Sequence, residues 1–293
     1  MATLYTHQDS NIYKTWALFG VFLAVVIGVG WLASFYFDSP AILYVAVAFS
    51  IFMNVFSYWF SDKIVLKMSG ARPADEYIHR DLINIVENLA ITAGLPRPKV
   101  FVINDSAPNA FATGRNKEHA VVAVTEGLMS ILDRSELEGV IAHELAHIGN
   151  RDMLLSTVAV VLVGFVAILS DIAMRASFHG GGNRKEGGGV MIIVSLVLII
   201  LAPIMASLIQ LAISRRREFL ADATGALLTR YPEGLASALE KISRHSTPVK
   251  RASDATAHLY FSNPFGAGMK GVHKLFMTHP PIEERIKALR NKE

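Results

Sequence analysis

The pattern His143-Glu144-x-x-His147 combines residue types suited to metal-assisted chemistry. Residues four apart on a helix lie one turn apart on the same face, so both imidazoles could bind one Zn²⁺ ion. Glu144 stands beside them and could transfer a proton. The alternative is that the two histidines are simply packed or exposed. The chain has no cysteine, so any metal must be held by His, Asp or Glu.

A zinc site built for hydrolysis needs three protein ligands and an open position for water. One protease class takes its third ligand from His-x-x-Gly-x-x-His, but Asn150 and Met153 occupy the Gly and second His positions here. The other class uses a carboxylate from a later helix, and the candidate is Glu218 in Glu218-Phe-Leu-Ala-Asp222. Asp222, one turn further on, could accept the free N–H of a ligand histidine. Alternatively, Glu218 only pairs with the arginines at 215–217.

A helix must present the two histidines, and the sequence predicts where it begins. Ser135-Glu-Leu-Glu138 has the form of a capping box, so we expect a helix from there through His147. Its apolar stripe comprises Leu137, Val140, Ile141, Leu145 and Ile148.

The remaining polar sequence predicts further helices and a small sheet. Pro73 is expected to start a helix that Gly94 ends, and other helical stretches are predicted at 233–243 and after Pro280-Pro281. The β-like runs at 99–103 and 119–124 indicate two strands.

The composition indicates a membrane protein, since 52% of the residues are hydrophobic and 18% are charged. Four runs without charge, at 16–37, 41–61, 153–170 and 190–214, reach the ~18 residues that a spanning helix needs. The alternative for each is a buried core helix, and the third run is the shortest. The first run is too long for the apolar part of a signal peptide. These runs contain no ionisable residue, which argues against a transporter.

The basic residues predict the orientation in the membrane. Lys63, Lys67 and Arg72 follow the second run, and three arginines at 215–217 follow the fourth. Both termini and both polar segments are therefore expected in the cytoplasm. The net charge is only +3 and the basic residues lie at membrane borders, so no nucleic-acid partner is implied.

Six features together resemble the HtpX-type membrane zinc metalloproteases, relatives of the CAAX prenyl proteases that use a glutamate as third ligand. They are the two N-terminal spans, the hydrophobic hairpin, Asn109-Ala-Phe-Ala-Thr-Gly114, His143-Glu-Leu-Ala-His147, Glu218-Phe-Leu-Ala-Asp222 and Thr278-His-Pro-Pro-Ile-Glu-Glu-Arg285. The resemblance covers nearly the whole chain. The CAAX prenyl proteases themselves look less similar, because they have more membrane spans than four.

The resemblance implies an α-helical membrane protein with four transmembrane helices. A mainly α, zincin-like metalloprotease domain with a small β-sheet would lie on the cytoplasmic face. Residues 1–61 would be two transmembrane helices, 62–152 the first half of the protease domain, 153–214 a transmembrane hairpin and 215–293 the second half.

The resemblance also implies a role for each site residue. His143, His147 and Glu218 would bind one Zn²⁺ per chain, Glu144 would be the base, and Asp222 would support a ligand. Two roles come from the resemblance alone. His279 would stabilise the oxyanion, and an edge strand would bind the substrate backbone through Asn109, Ala110, Phe111 and Ala112. On the bare sequence, that strand is predicted as a loop and His279 as an ordinary histidine at a helix start.

The expected function is hydrolysis of peptide bonds at the cytoplasmic membrane surface. The resemblance implies that the substrates are misfolded or damaged proteins of a bacterial inner membrane, cleaved in protein quality control and stress response. The expected partners are membrane-protein or peptide substrates and the lipid bilayer, and the oligomeric state stays open. The alternative is a catalytically silent zinc-binding membrane scaffold. A scaffold would lack Glu144 or would fill the fourth metal position with a protein ligand.

Overall fold

The computed structural model describes residues 4–162, 164–165, 215–245, 247–253, 256–265 and 280–290. The fourth predicted span, the end of the third from residue 166 and His279 lie outside the described residues. The helices are α1 (Leu4–Tyr36), α2 (Pro40–Ser69), α3 (Arg80–Thr92), α4 (Glu126–Ile131), α5 (Arg134–Gly149), α6 (Asp152–Leu162), α7 (Arg215–Thr229), α8 (Pro232–Arg244) and α9 (Ile282–Arg290). The strands are β1 (Arg72–Pro73), β2 (Lys99–Ile103), β3 (Ala110–Thr113) and β4 (Val121–Thr125).

Helices α1 and α2 are long and apolar enough to cross a membrane. Only 22% of the most apolar window of α1 and 17% of that of α2 is buried inside the protein, so neither resembles the core helix of a soluble domain. Both pack against α6 through a small apolar cluster that includes Leu18, Met53 and Leu155. The two N-terminal spans are therefore present as apolar helices, and α6 begins where the third span was predicted.

The four strands form one mixed sheet in the order β1-β2-β4-β3. The parallel pair β2 and β4 comprises the two strands predicted from their β-like sequence, and β3 pairs antiparallel with β4. The segment that the bare sequence predicts as a loop is therefore a strand, as the resemblance implies. Among the described strands β3 pairs with β4 alone, so it lies at the edge of this sheet.

Helix α5 carries the two histidines and begins at a capping box, but the capping residue was misassigned. Asp133 is the N-cap: its side chain accepts a hydrogen bond from the backbone N–H of Glu136, and the Glu136 carboxylate accepts one from the N–H of Asp133. The Ser135 hydroxyl instead donates to the Asp133 carboxylate. Asp133 and Ser135 each precede a glutamate by three residues, so both fit the capping-box pattern. The positive end of the helix dipole also stabilises the negative charge of Asp133.

The predicted start of α3 at Pro73 is wrong, because Pro73 lies in the outer strand β1. Proline is tolerated at a sheet edge, where a missing N–H removes no interior ladder bond. The helix begins at Arg80, after a turn in which the Asp75 carboxylate accepts hydrogen bonds from Tyr77 and Ile78. The predicted end is confirmed, since Gly94 follows the helix with a positive φ of 64°.

The main core lies between the sheet and helices α3, α5 and α8. Burying one large aliphatic side chain stabilises a fold by about 1.5–3 kcal/mol. The whole predicted apolar stripe of α5 is buried in this core: Leu137, Val140, Ile141, Leu145 and Ile148. The apolar stripe therefore anchors α5 in the domain core.

Helices α5 and α7 approach each other closely at Gly225. A Cβ atom on Gly225 would lie 2.9 Å from the backbone nitrogen of His143 and 3.2 Å from the carbonyl carbon of Ala142. A side chain at this position would therefore push the two helices apart.

We expect Gly225→Ala to lower the free energy of unfolding by about 1–3 kcal/mol, because the new methyl group meets backbone rather than a movable side chain. Thermal unfolding of the detergent-solubilised chain measures the change. The control is Gly149→Ala on α5, where an added Cβ meets nothing within 4 Å. Equal unfolding temperatures for the two variants would contradict the close packing at Gly225.

Candidate metal centre

Two helices bring the three predicted ligands together. The Nε2 atoms of His143 and His147 on α5 lie 3.1 Å apart. The Glu218 carboxylate on α7 lies 3.7 Å from Nε2 of His143 and 3.6 Å from Nε2 of His147. One possible ligand atom from each of the three residues lies within 4.8 Å of the other two. The neighbouring Arg217 pairs with Asp152, and the Glu218 carboxylate lies beside the two histidines.

The geometry of these atoms fits a zinc ion. Two ligands at 2.0–2.1 Å from a tetrahedral zinc are separated by about 3.3 Å. The two Nε2 atoms lie 3.1 Å apart, and each has a different oxygen of Glu218 near it, at 3.7 Å from His143 and 3.6 Å from His147. Two imidazoles and one carboxylate also form the donor set of hydrolytic zinc sites, which leave a fourth position for water.

A buried carboxylate orients the first histidine. Nδ1 of His143 lies 2.9 Å from the Asp222 carboxylate, one turn beyond Glu218 on α7. A carboxylate only accepts hydrogen bonds, so Nδ1 carries the hydrogen and Nε2 keeps its lone pair for a metal. Arg285 on α9 in turn donates to both oxygens of Asp222, at 2.9 and 2.7 Å, and stacks over the Phe261 ring.

A second carboxylate orients the other histidine. Nδ1 of His147 lies 3.0 Å from Asp152, the first residue of α6. The other oxygen of Asp152 accepts hydrogen bonds from Asn11 on α1 and Arg217 on α7. Both histidines therefore present Nε2 to the metal centre and bind a carboxylate through Nδ1.

The surroundings of the two histidines shift their pKa values in opposite directions. Burial lowers the pKa of His143 to about 4, despite the opposing hydrogen bond to Asp222. Burial also opposes the charge on His147, but the hydrogen bond to Asp152 and the neighbouring carboxylates outweigh it and raise the pKa to about 9. These shifts favour a neutral His143 and a protonated His147, so a metal at this centre would compete with a proton at His147.

The pKa of Asp222 is held below its usual range. Its burial acts against the charge, but the Arg285 guanidinium and the hydrogen bond from His143 outweigh that effect. Asp222 thus stays ionised beside the ligand histidine.

Glu144 follows His143 in the sequence of α5, and its side chain is buried. Its charge contributes to raising the pKa values of His147 and of Arg285, which places the carboxylate close to the metal centre. The candidate proton-transfer residue is thus on the same helix as the two histidine ligands.

The sheet edge next to α5 is partly covered by the chain itself. The Thr125 N–H donates to the Asn109 carbonyl and the Asn109 N–H donates to the Thr125 hydroxyl. By the alternation of an antiparallel pair, the backbone groups of Ala110 and Ala112 then face outward. The carbonyl of Ala110 accepts a hydrogen bond from Phe261. Among the described residues, the N–H and C=O of Ala112 have no hydrogen-bond partner.

Sequence reasoning missed four buried or half-buried side chains that support the ligands: Asn11, Asp152, Arg217 and Arg285. Asp152 had a signal, since it is a carboxylate five residues after His147 at the end of the helix. Arg285 had a weaker one, since it ends the Thr278–Arg285 motif. Asn11 and Arg217 had none, because their contacts depend on how α1 and α7 pack.

The ligand set and the helix that carries Glu144 define a metallopeptidase of the His-Glu-x-x-His type with apolar helices. Residues 77–293 match peptidase family M48. The "Protease HtpX homolog" of Dictyoglomus thermophilum is 48% identical over 289 residues, covering 98% of this chain and 94% of that protein. The homolog of Pyrococcus furiosus is 48% identical over 281 residues, covering 94% of each. The chain therefore belongs to peptidase family M48, and it is an HtpX-type metalloprotease.

A solved structure agrees with this fold. The crystal structure of S. mikatae Ste24p superposes with a TM-score of 0.51 at 20% identity, covering 98% of this chain and 66% of that one. At this identity the likeness supports the fold alone.

We expect Arg285→Lys to lower both the unfolding temperature and the zinc content, although it keeps the positive charge. An ammonium group cannot donate in parallel to both oxygens of Asp222 or stack on Phe261 as the guanidinium does. Thermal unfolding and metal analysis measure the two effects. The control is Arg290→Lys on the same helix, whose bonds to Glu233 and Glu240 are solvent-exposed. It should leave the zinc content unchanged and lower the unfolding temperature less. Identical behaviour of both variants would refute the supporting role of Arg285.

Proposed function

We propose that this chain is a membrane-embedded endopeptidase that uses one Zn²⁺ ion, held by His143, His147 and Glu218. The observation that carries the proposal is the convergence of the three ligand atoms within 4.8 Å, with Glu144 on the same helix as both histidines. A silent zinc scaffold would not need a buried glutamate at that position. Hydrolysis of peptide bonds is the reaction that this arrangement supports best.

When bound, the zinc ion supplies a Lewis acid that activates water and polarises the scissile carbonyl. Glu144 accepts the proton of that water and delivers it to the leaving amine. Asp222 and Asp152 keep the two imidazoles oriented as the charge at the centre changes. We assign the stabilisation of the carbonyl oxyanion to His279, on the family resemblance of its motif.

The substrate would bind as an extra strand along β3, in the segment Asn109 to Ala112. An extended peptide can pair with the outward N–H and C=O of Ala112, whereas the Ala110 carbonyl is already bonded to Phe261. This mode recognises main chain more than side chains. Ala112 is therefore the central residue of the proposed substrate strand.

The natural substrates would be misfolded or damaged membrane proteins, cleaved in protein quality control. The support is the position of the metal centre beside the apolar helices. Helix α5, which carries both histidines, is followed directly by α6, and Asp152 at the start of α6 binds both His147 and Asn11 on α1. Four spans and a cytoplasmic site in a bacterial inner membrane agree with the distribution of basic residues. The two polar segments, 62–152 and 215–293, would form one protease domain around the hairpin 153–214.

We expect Glu144→Gln to reduce kcat/KM by about a thousandfold, because general-base catalysis contributes roughly 10²–10⁴ in rate. The variant should keep its zinc, since Glu144 is not one of the three clustered ligands. Cleavage of a membrane-protein substrate in detergent and metal analysis measure the two properties. The comparison variant His143→Ala should lose both zinc and cleavage. Full cleavage by Glu144→Gln would refute the assigned mechanism.

We expect Ala112→Pro to reduce kcat/KM about fivefold without loss of zinc. Proline removes the outward N–H but no bond to β4, and a backbone hydrogen bond contributes about 1 kcal/mol. The matched control is Ala112→Ser, which keeps the N–H and nearly the same size. Equal kcat/KM values for the two variants would exclude strand pairing at Ala112.

A further inference from the structure

Asn11 near the start of α1 reaches the turn that follows the metal-binding helix α5. Its amide nitrogen donates to the Asp152 carboxylate at 2.6 Å and to the backbone carbonyl of Asn150 at 3.1 Å. Asn11 is 3% exposed, so these bonds replace its contacts with water. The side chain therefore spans the turn from one side of Arg151 to the other.

That turn has a strained backbone. Arg151 has a φ of 59°, in the left-handed region that non-glycine residues rarely occupy. Such a conformation persists only where the surrounding contacts enforce it. By binding the residues on both sides of Arg151, the Asn11 amide supplies two of those contacts.

The turn sets the orientation of a metal ligand. One oxygen of Asp152 accepts from Asn11, and the other lies 3.0 Å from Nδ1 of His147. Rotation of the Asp152 carboxylate would break one of these two contacts. A change in the position of Asn11 would therefore move the Asp152 carboxylate and, with it, the imidazole of His147.

The residue type at position 11 matches its surroundings. The Asn11 amide nitrogen donates to Asp152, while its oxygen accepts from Arg217 at 3.4 Å. Arg217 also reaches Asp152 at 3.3 Å. A neutral amide can bond both an anion and a cation, which neither a carboxylate nor an ammonium can do.

We propose that Asn11 is a positioning residue of the metal centre, which makes the N-terminal membrane helix α1 a supporting element of that centre. The inference rests on the proposed zinc site but not on the reaction that the site performs. It joins three elements at one point: α1 through Asn11, α6 through Asp152 and α7 through Arg217. A shift of α1 in the bilayer would therefore change the geometry of His147.

The test is a double-mutant cycle on the full chain in detergent. Zinc affinity is measured by competition with a chelator for wild type, Asn11→Ala, Asp152→Ala and the double variant. Outer partners of ligand histidines typically contribute 10–100-fold to metal affinity, so we expect about a tenfold loss for Asn11→Ala. The double variant should bind zinc no more weakly than Asp152→Ala, because Asn11 acts through Asp152.

The visible absorption of the Co²⁺-substituted chain gives a second readout. Asn11→Ala should alter the ligand-field bands, because the His147 ring is reoriented. The control is Thr15→Val, one turn further along α1, whose hydroxyl donates only to the Asn11 backbone carbonyl. It should change neither the spectrum nor the zinc affinity, although it alters a buried site of the same helix.

Three results would overturn the inference. Asn11→Ala with wild-type zinc affinity would do so, and so would an equal loss in the presence and absence of Asp152. The same loss in Thr15→Val would point to general docking of α1 instead. A wild-type chain that binds no zinc would overturn both this inference and the proposed function, whereas the first three results leave the proposed function intact.

Discussion

The hydrogen bonds from the Nδ1 atoms of the two histidines to buried carboxylates are the interactions on which the metal centre depends. An imidazole binds a metal through Nε2 only if Nδ1 carries the hydrogen, and Asp222 and Asp152 fix that state for His143 and His147. The rings are thereby oriented by the folded protein before any metal binds. Because folding has already ordered the rings, metal binding loses little side-chain entropy, which favours tight binding.

Burying these carboxylates creates a demand for compensating charges and hydrogen-bond donors, which other helices of the domain supply. An unpaired buried charge is strongly destabilising, so each carboxylate needs a cation or several donors. Arg285 on α9 meets that demand at Asp222 with two parallel hydrogen bonds. At Asp152 the demand is shared between Arg217 and the neutral amide of Asn11. The ends of α1, α7 and α9 are therefore drawn to the metal centre by charge as well as by packing.

The part of the centre predictable from sequence is the part that local spacing determines. His143 and His147 are one helical turn apart, and so are Glu218 and Asp222, so each pair follows from helix geometry alone. Arg285 and Asn11 are different, because they reach the centre from 63 and 141 residues away from their carboxylate partners. Only tertiary packing brings them there, and no periodicity in the sequence records it.

The errors in the fold have the same origin. Ser135 and Asp133 both satisfy the capping pattern, and the choice between them depends on where the chain enters the helix. Pro73 is compatible with a helix start and with an edge strand, and its pairing with Phe101 on β2 decides between the two. The strand β3 lacks a strong β pattern of its own and is fixed by its register with β4.

The outer edge of β3, whose residues are buried in this structure, bears on which chains the site would accept. Much of that edge is used internally, since Phe261 bonds the Ala110 carbonyl and the Asn109 side chain bonds the backbone of Ser262. Ala112 remains as the residue whose outward backbone groups have no partner within the described part of the chain. A peptide can pair there only if its own backbone groups are free, and in folded proteins nearly all of them are bonded. Selection at such an edge would act on local unfolding more than on sequence, as the proposed removal of damaged membrane proteins would require.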